Sequence, residues 1–136
     1  MLTDPSVALA SAIKRCLLED ADVKALVADR VYDLIPNGPT FPYVSLGEIQ
    51  VMPELAEGAD AATSYVTLHS WDRFKSGTAT RALSRAVVAA LHDRDLTIED
   101  GAVLSLLLQT SRVLPDPDGT TRHGVHVFAV LTDANA

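Results

Sequence analysis

Alternating side chains predict a β-strand over residues 64–71, SYVTLHSW. Val66 and Leu68 point to one face of this strand, whereas His69 and Trp71 point to the other. β-branched and aromatic residues of this kind favour a pleated, half-buried surface. Because both faces carry large groups, we expect a central strand that is covered on both sides, in part by another subunit.

The pattern changes after this strand to the period of an α-helix. Apolar residues recur at spacings of three and four over residues 77–91, TATRALSRAVVAAL after the first glycine. We predict one long helix there, with Leu83 and Val87 packed on the sheet. Arg81 and Arg85 lie four residues apart on the opposite, solvated side.

The N-terminal part of the chain alternates between helical and extended patterns. Apolar spacing predicts a helix at about residues 5–18 and a shorter one, capped by Asp20, that ends at about residue 28. Short extended patterns follow at 30–35 and 41–50, and we predict a strand at each.

Residues 52–63, MPELAEGADAAT, have no sustained hydrophobic period. They combine proline, glycine, small residues and acids, which are typical of connecting segments. Since structureless connections of this length are often functional, we predict a loop that is mobile or becomes ordered against a partner.

The C-terminal part reads as strands and turns. We predict a short strand at 96–98, a tight Asp-Gly turn at 99–101, a long strand at 103–114 and a last strand at 123–132. The whole pattern predicts one α+β domain over residues 1–136, with a mainly antiparallel sheet, N-terminal helices and one long helix packed on one face.

Chain length and composition agree with a single domain made in a reducing compartment. A chain of 136 residues is long enough for a real core. No apolar run approaches the roughly 18 residues of a membrane span, and the start, MLTDPS, lacks the pattern of a signal peptide. Cys16, the one cysteine, lies on the apolar stripe of the first predicted helix, so we expect a small buried residue and synthesis in the bacterial cytoplasm.

Charge is unevenly distributed along the chain. The net charge is −7, which argues against non-specific nucleic-acid binding. Residues 31–72 hold six acids and no Lys or Arg, whereas residues 73–94 hold five bases and one acid. Two solvated faces would explain this split. A polar molecule whose acidic side meets the basic side of its neighbour would explain it equally well, and such a head-to-tail contact can close into a ring.

Candidate chemistry is sparse. His123 and His126 lie three apart, which places them on opposite faces of a strand and disfavours a shared metal. We expect His92 to sit against the C-terminal dipole of the long helix, and His69 to be packed beside Trp71 rather than to act as a base. The glycines form no phosphate-binding loop. We therefore predict no catalytic residue, no metal ligand and no cofactor.

Several segments together resemble a known family. They are FPYVSLGE at residues 41–48, TLHSWDR at 67–73 with the following alanine-rich helix that ends in LHD at 91–93, and SRVLPDPDGTTRHGVHVF at 111–128. In order and spacing they resemble the small tail-completion family of tailed bacteriophages, prophages and gene transfer agents. Each motif is structural, and the resemblance covers almost the whole chain.

The resemblance implies a tail terminator, which forms a ring, usually of six subunits, on the head-proximal end of the tail tube. Its expected partners are further copies of itself, the tail tube protein and the head–tail connector or stopper protein, with DNA passing only as transient cargo and no membrane contact. It implies no enzyme activity. Alternatives are another head–tail joining component, a stopper or adaptor, and, from another class, a small acidic enzyme or ligand-binding domain. From the charge split we predict these interface residues: Glu48, Glu54, Glu57, Asp60, Arg73, Lys75, Arg81 and Arg85.

Overall fold

A computed structural model describes residues 3–55, 57–73 and 77–136. Within these residues three helices and five strands follow one another: α1 (Ser6–Glu19), α2 (Ala21–Val27), β1 (Val31–Tyr32), β2 (Tyr43–Glu54), β3 (Ala61–Asp72), α3 (Gly77–Leu91), β4 (Ala102–Pro115) and β5 (Arg122–Asp133).

The strands form one sheet in the order β1-β2-β3-β5-β4. β3 is the central strand, as predicted, and pairs antiparallel with β2 and β5, while β4 pairs antiparallel with β5 at one edge. Only the short β1 runs parallel to its neighbour, β2. The sheet is therefore mainly antiparallel, and the predicted α+β class is confirmed.

All three helices contribute to one hydrophobic core on one face of the sheet. The predicted stripe of α3 is confirmed, because Leu83, Val87 and Leu91 are buried between the helix and the strands. Burying each of these side chains contributes roughly 1.5–3 kcal/mol to stability. At the start of α2 the Asp20 carboxylate accepts hydrogen bonds from the Val23 amide and its neighbour, as predicted for an N-cap.

The loop predicted over residues 52–63 is shorter than expected. Met52 pairs with Thr63 and Glu54 pairs with Ala61, so β2 and β3 extend as a hairpin and leave only 55–60 between them. The prediction was wrong at both ends because strand pairing is held by backbone hydrogen bonds, which do not require a continuous hydrophobic period.

Two other predicted strands differ from the structure. Residues 96–98 form no strand. Leu96 and Ile98 instead pack against the core, and the Arg15 Nη2 donates a hydrogen bond to the Thr97 carbonyl oxygen. The strand predicted over 30–35 is limited to Val31–Tyr32, because pairing with β2 reaches only these two residues. Beyond this pairing Leu34 and Ile35 are exposed, so neither packing nor a neighbouring strand extends β1.

Candidate interaction surfaces

The β2–β3 hairpin carries acidic residues at its end, which we call the hairpin tip and define as residues 54, 55 and 57–60. Glu54 accepts a hydrogen bond from the Thr63 hydroxyl at 2.7 Å, and Glu57 lies exposed in the turn. Between them Leu55 is 100% exposed. The tip therefore presents a large apolar side chain flanked by two carboxylates.

Asp60, also predicted as an interface residue, is engaged within the chain. Its carboxylate accepts hydrogen bonds from the Thr3 amide at 3.0 and 3.1 Å, and its own amide donates to Asp133 Oδ1 at 3.1 Å. The hydrogen bonds from Thr3 lower the pKa of the Asp60 carboxyl below its usual value. Asp60 thus ties the N-terminal segment and the end of β5 to the base of the hairpin tip.

Glu48 lies apart from the tip, on the outer side of β2. The register of β2 against β3 shifts between Leu46 and Ile49, and Glu48 is exposed at this irregularity. The neighbouring Gly47 allows a close approach, because a Cβ there would lie 2.6 Å from the His69 Nε2. Within the described residues β1 pairs with β2 only at Val44 and Ser45, so the rest of β2 is an open edge of the sheet. Glu48 adds an acidic charge to this edge.

Arg73 is a basic residue with intramolecular partners. Its guanidinium lies over the Phe41 ring, 4.2 Å from the centroid, and its Nε donates to the Thr121 hydroxyl at 3.2 Å. Lys75, the other basic residue predicted in this segment, lies outside the described residues. Arg73 is exposed but is fixed by these contacts, so it is less free than Arg81 and Arg85 to meet another molecule.

Arg81 and Arg85 lie exposed along a groove between α3 and the edge strand β4, as expected for the solvated side of the helix. The groove has a volume of about 400 Å3. Ser111 and Arg112 of β4 lie on the opposite side, where Arg112 pairs with Val125 and its charge acts on His123, on the face of the sheet away from the helices. Val88 and Leu108 supply apolar surface between the two sides. We call this site the arginine groove. The described residues that line it include no carboxylate.

The hairpin tip and the arginine groove lie at opposite corners of the sheet. β2 and β4 are separated by three strand spacings, which is about 14 Å. The tip lies beyond the pairing of Ala61 with Asp133, whereas the groove lies beside the pairing of Ser111 with His126. Seven residues of β5 separate these two positions, which corresponds to about 23 Å along the strand. The hairpin tip and the arginine groove are therefore distant from each other within one subunit.

The second face of the sheet, which we call the open face, is not covered by the helices. Side chains of β3 and β5 alternate strictly between buried on the helix side and half-buried on the open face. Within the described residues the chain itself therefore covers β3 fully on one face only. Coverage of the open face by another subunit remains a prediction.

Aromatic rings cluster at one end of the open face. Trp71 stacks on His123 with ring centroids 3.7 Å apart, and its Nε1 donates to the Ser45 hydroxyl at 3.1 Å. His69 Nδ1 lies 2.6 Å from His123 Nε2. Partial burial lowers the pKa of both histidines, so each favours the neutral state in which one ring donates a hydrogen bond to the other. His69 is thus a packed histidine beside Trp71, as predicted.

His126 lies on the opposite, covered face, which confirms the predicted separation from His123. Its Nε2 contacts the Ser70 hydroxyl at 3.0 Å and its Nδ1 contacts the Ser111 hydroxyl at 2.8 Å. Burial, together with the charges of His69 and His123, lowers the pKa of His126 to about 4. Because both ring nitrogens have hydroxyl partners and the ring is fully buried, this group fits a structural network. The sequence analysis missed this network, although Ser70 shares a strand face with the buried residues of β3.

His92 differs from its predicted role. Its Nδ1 accepts a hydrogen bond from the Leu108 amide at 2.9 Å, just before the register shift in β4 between Leu108 and Thr110. The His92 imidazole therefore accepts a hydrogen bond from the backbone of the edge strand. The prediction had instead given His92 a favourable interaction with the dipole of α3.

The described residues form neither a metal site nor a membrane-spanning helix. No group of three or more His, Cys, Asp or Glu side chains in residues 3–55, 57–73 and 77–136 is placed to hold a metal ion. Within the same residues no helix is both long enough and apolar enough to cross a bilayer.

Comparison with known proteins identifies the family. The chain matches none of the curated proteins. Its fold is similar to a chain from the virion of a native gene transfer agent (GTA) particle, with 26% identity, a TM-score of 0.87, and coverage of 94% of this chain and 96% of that one. It is also similar to the gp17 protein of bacteriophage SPP1, with 22% identity, a TM-score of 0.61, and coverage of 92% and 88%. Because the sequence profile of tail completion protein gp17 matches residues 11–133, this chain belongs to the tail completion protein gp17 family.

Proposed function

We propose that this protein is a tail terminator, which forms a ring at the head-proximal end of the tail tube, stops tube growth and joins the tail to the head. Membership of the gp17 family makes the chain a tail completion protein and a structural component of a phage-like particle. The ring, its six subunits and the stopping of tube growth are the further steps of the proposal. Its partners are other copies of the chain, the tube protein and the head–tail connector or stopper protein.

One observation supports the proposed ring: the two charged surfaces lie far apart, at opposite edges of the sheet. A ring subunit needs two different surfaces that complement each other, so that each copy contacts the next in the same way. The hairpin tip with Glu54 and Glu57 is one such surface, and the arginine groove with Arg81 and Arg85 is the other. Asp60 lies at the base of the hairpin tip, whereas Glu48 and Arg73 lie outside both surfaces and are proposed as further contacts of the ring.

The charge of the protein supports a conduit for DNA rather than a DNA-binding protein. With a net charge of −7, the chain has too few cations to neutralise many phosphates. Passage of DNA through a ring requires weak contact with its wall, which an acidic protein provides by repulsion. The proposal therefore contains no enzymatic step and no cofactor.

Deletion of the gene in the producing cell, followed by electron microscopy of the particles, tests this function. We expect heads without tails and free tail tubes that are overlong or unjoined, and a plasmid copy of the gene should restore joined particles. A stopper or adaptor would instead leave tubes of normal length. Intact particles with normal tails would overturn the proposal.

Salt dependence tests the role of charge in the same assembly. Surface ion pairs weaken as ionic strength rises, because the screening length falls from about 10 Å at 0.1 M to about 3 Å at 1 M. We expect the assembled form of the purified protein to dissociate over this range, as followed by sedimentation velocity. An assembly that is unchanged at 1 M salt would show that its contacts are apolar.

A further inference from the structure

We infer that the hairpin tip of one subunit docks into the arginine groove of the next copy of this chain. This contact rests on the proposed ring and specifies which surfaces of neighbouring subunits meet. It places Leu55 on the apolar floor of the groove, with Glu54 and Glu57 facing its arginines.

The groove has the chemistry to receive an acidic segment with an apolar centre. Arg81 and Arg85 line the helix side of the groove, Ser111 of β4 lines the other side, and Val88 and Leu108 form the apolar floor. Guanidinium groups bind carboxylates through paired hydrogen bonds, and a groove shields such pairs from water better than a flat surface does. Since the described lining residues include no carboxylate, the positive charge of the groove is not balanced from within its own walls.

The hairpin tip has the complementary pattern. Leu55 is 100% exposed, and its neighbours in the turn, Glu54 and Glu57, are also exposed. The hydrogen bond from Thr63 engages only one oxygen of the Glu54 carboxylate, so the second oxygen can accept from a guanidinium. A fully exposed leucine at the end of a hairpin gains most from a partner that removes it from water.

The hairpin tip and the arginine groove of one subunit are too far apart to contact each other, so the contact must form between two molecules. The tip and the groove of one subunit are about 23 Å apart along the strands and about 14 Å apart across them, and the sheet lies between them. A subunit therefore cannot fill its own groove with its own tip. A contact between two different surfaces repeats from copy to copy and closes when the rotation allows, which is the geometry that a ring requires.

Charge reversal on each side, followed by mixing, tests this contact in the full-length protein. Glu54→Arg with Glu57→Arg reverses the tip, and Arg81→Glu with Arg85→Glu reverses the groove. We expect either double variant to weaken assembly at least tenfold in sedimentation velocity, with unchanged circular dichroism. An equimolar mixture should restore assembly, because reversed tips meet reversed grooves and the unchanged tips meet unchanged grooves.

Matched controls reverse exposed charges elsewhere. Lys24→Glu on α2 and Asp29→Arg before β1 change exposed residues away from the two surfaces, and both variants should assemble as the original chain does. In a Cys16→Ser background, Leu55→Cys with Val88→Cys should form disulfides between subunits and give a ladder of covalent oligomers. Leu55→Cys alone should give dimers at most.

The outcomes separate this inference from the proposed function. If the original chain assembles and the reversed variants assemble equally well, or if the mixture is not restored, the ring stands and this contact is overturned. If the original chain stays monomeric at every concentration and also on isolated tail tubes, the ring itself is overturned. Crosslinks confined to single molecules would also contradict the contact.

Discussion

The two faces of the β-sheet are similarly apolar in sequence but differ in what they contact. On β5, Phe128 and Val130 are fully buried under the helices, whereas Val127 and Leu131, which alternate with them, are only half-buried on the open face. The difference shows that alternation predicts a strand without predicting which face the chain itself covers. The open face retains an apolar surface that the fold of one subunit leaves half-exposed.

The covered face is also the more polar one in its interior. It contains the His126 network with Ser70 and Ser111, next to Phe128. Such groups are tolerated because they bond to one another and are not left unsatisfied. The open face instead carries its histidines in a stack with Trp71. The two faces therefore use similar residue types in different settings, a buried hydrogen-bond network on one side and a half-exposed ring stack on the other.

The largest expected difference between the faces is the stability lost when a leucine on each face is replaced by alanine. Leu106 and Leu107 are adjacent in β4, but Leu106 is 1% exposed on the covered face and Leu107 is 42% exposed on the open one. Leu106→Ala should lower the free energy of unfolding by about 2–5 kcal/mol because it leaves a cavity. Leu107→Ala should lower it by less than about 1 kcal/mol. Urea unfolding of both variants measures this difference, and equal losses would contradict the assignment of the faces.

Acid should destabilise the protein through the covered face. The pKa of His126 is lowered to about 4 in the folded chain, whereas in the unfolded chain it is close to 6.5. The unfolded state therefore binds the proton first, so the free energy of unfolding is undiminished above pH 6.5 and falls as the pH is lowered to 4. The loss at pH 4 is about 2–3 kcal/mol from this group alone.

The free energy of unfolding should depend less on pH in a variant without the His126 imidazole. His69 and His123 also have lowered pKa values, so they add a shift of the same sign from the open face. His126→Asn is expected to be less stable at neutral pH and to lose less stability between pH 6.5 and 4. Denaturant midpoints across this range test it, and an unchanged slope in the variant would exclude His126 as the main cause.

Alanine substitution of one glycine on each face should destabilise the protein to different extents. A Cβ at Gly124 would lie 2.1 Å from Ser70 Oγ and 2.9 Å from His126 Nε2, inside the covered face. Gly124→Ala should cost about 1–3 kcal/mol because the buried network must shift. A Cβ at Gly47 would lie 2.6 Å from His69 Nε2 on the open face, where the ring is only half-buried and can exchange contacts with His123 for contacts with water. Thermal unfolding should therefore show a smaller loss for Gly47→Ala than for Gly124→Ala.

The smallest expected effect on stability comes from the exposed arginines. Arg81→Glu with Arg85→Glu should change the free energy of unfolding by less than about 0.5 kcal/mol per site, since both side chains lie off the buried stripe of α3. The same change should impair assembly. A large loss of monomer stability would show instead that these residues support the fold.

Local patterns predicted the parts of the fold that depend on local periodicity. The α3 stripe with Leu83 and Val87 was predicted because a helix buries residues at spacings of three and four. The extent of the β2–β3 hairpin was not, because backbone pairing holds Met52 and Ala61 in strands whose side chains show no hydrophobic alternation. Residues 96–98 were predicted as a strand, but they have no neighbouring strand to pair with.

The candidate surfaces were predicted only in part. The sequence analysis selected Arg81 and Arg85 because they lie in a basic segment of the chain. It missed Val88 and Leu108, which carry no charge and line the groove only because β4 packs beside α3. It also could not separate Asp60, whose carboxylate is engaged by Thr3, from Glu57, which is exposed. Charge pattern identifies charged segments, whereas the fold decides which charges meet.

The most direct test of the terminator role adds purified protein to tail tubes isolated from particles that lack it. Electron microscopy should show the protein bound as a ring at one end of each tube only. The capped tubes should no longer lengthen when tube protein is supplied, and they should join to separately purified heads. Binding along the length of the tube, or continued growth at an occupied end, would contradict the proposed function.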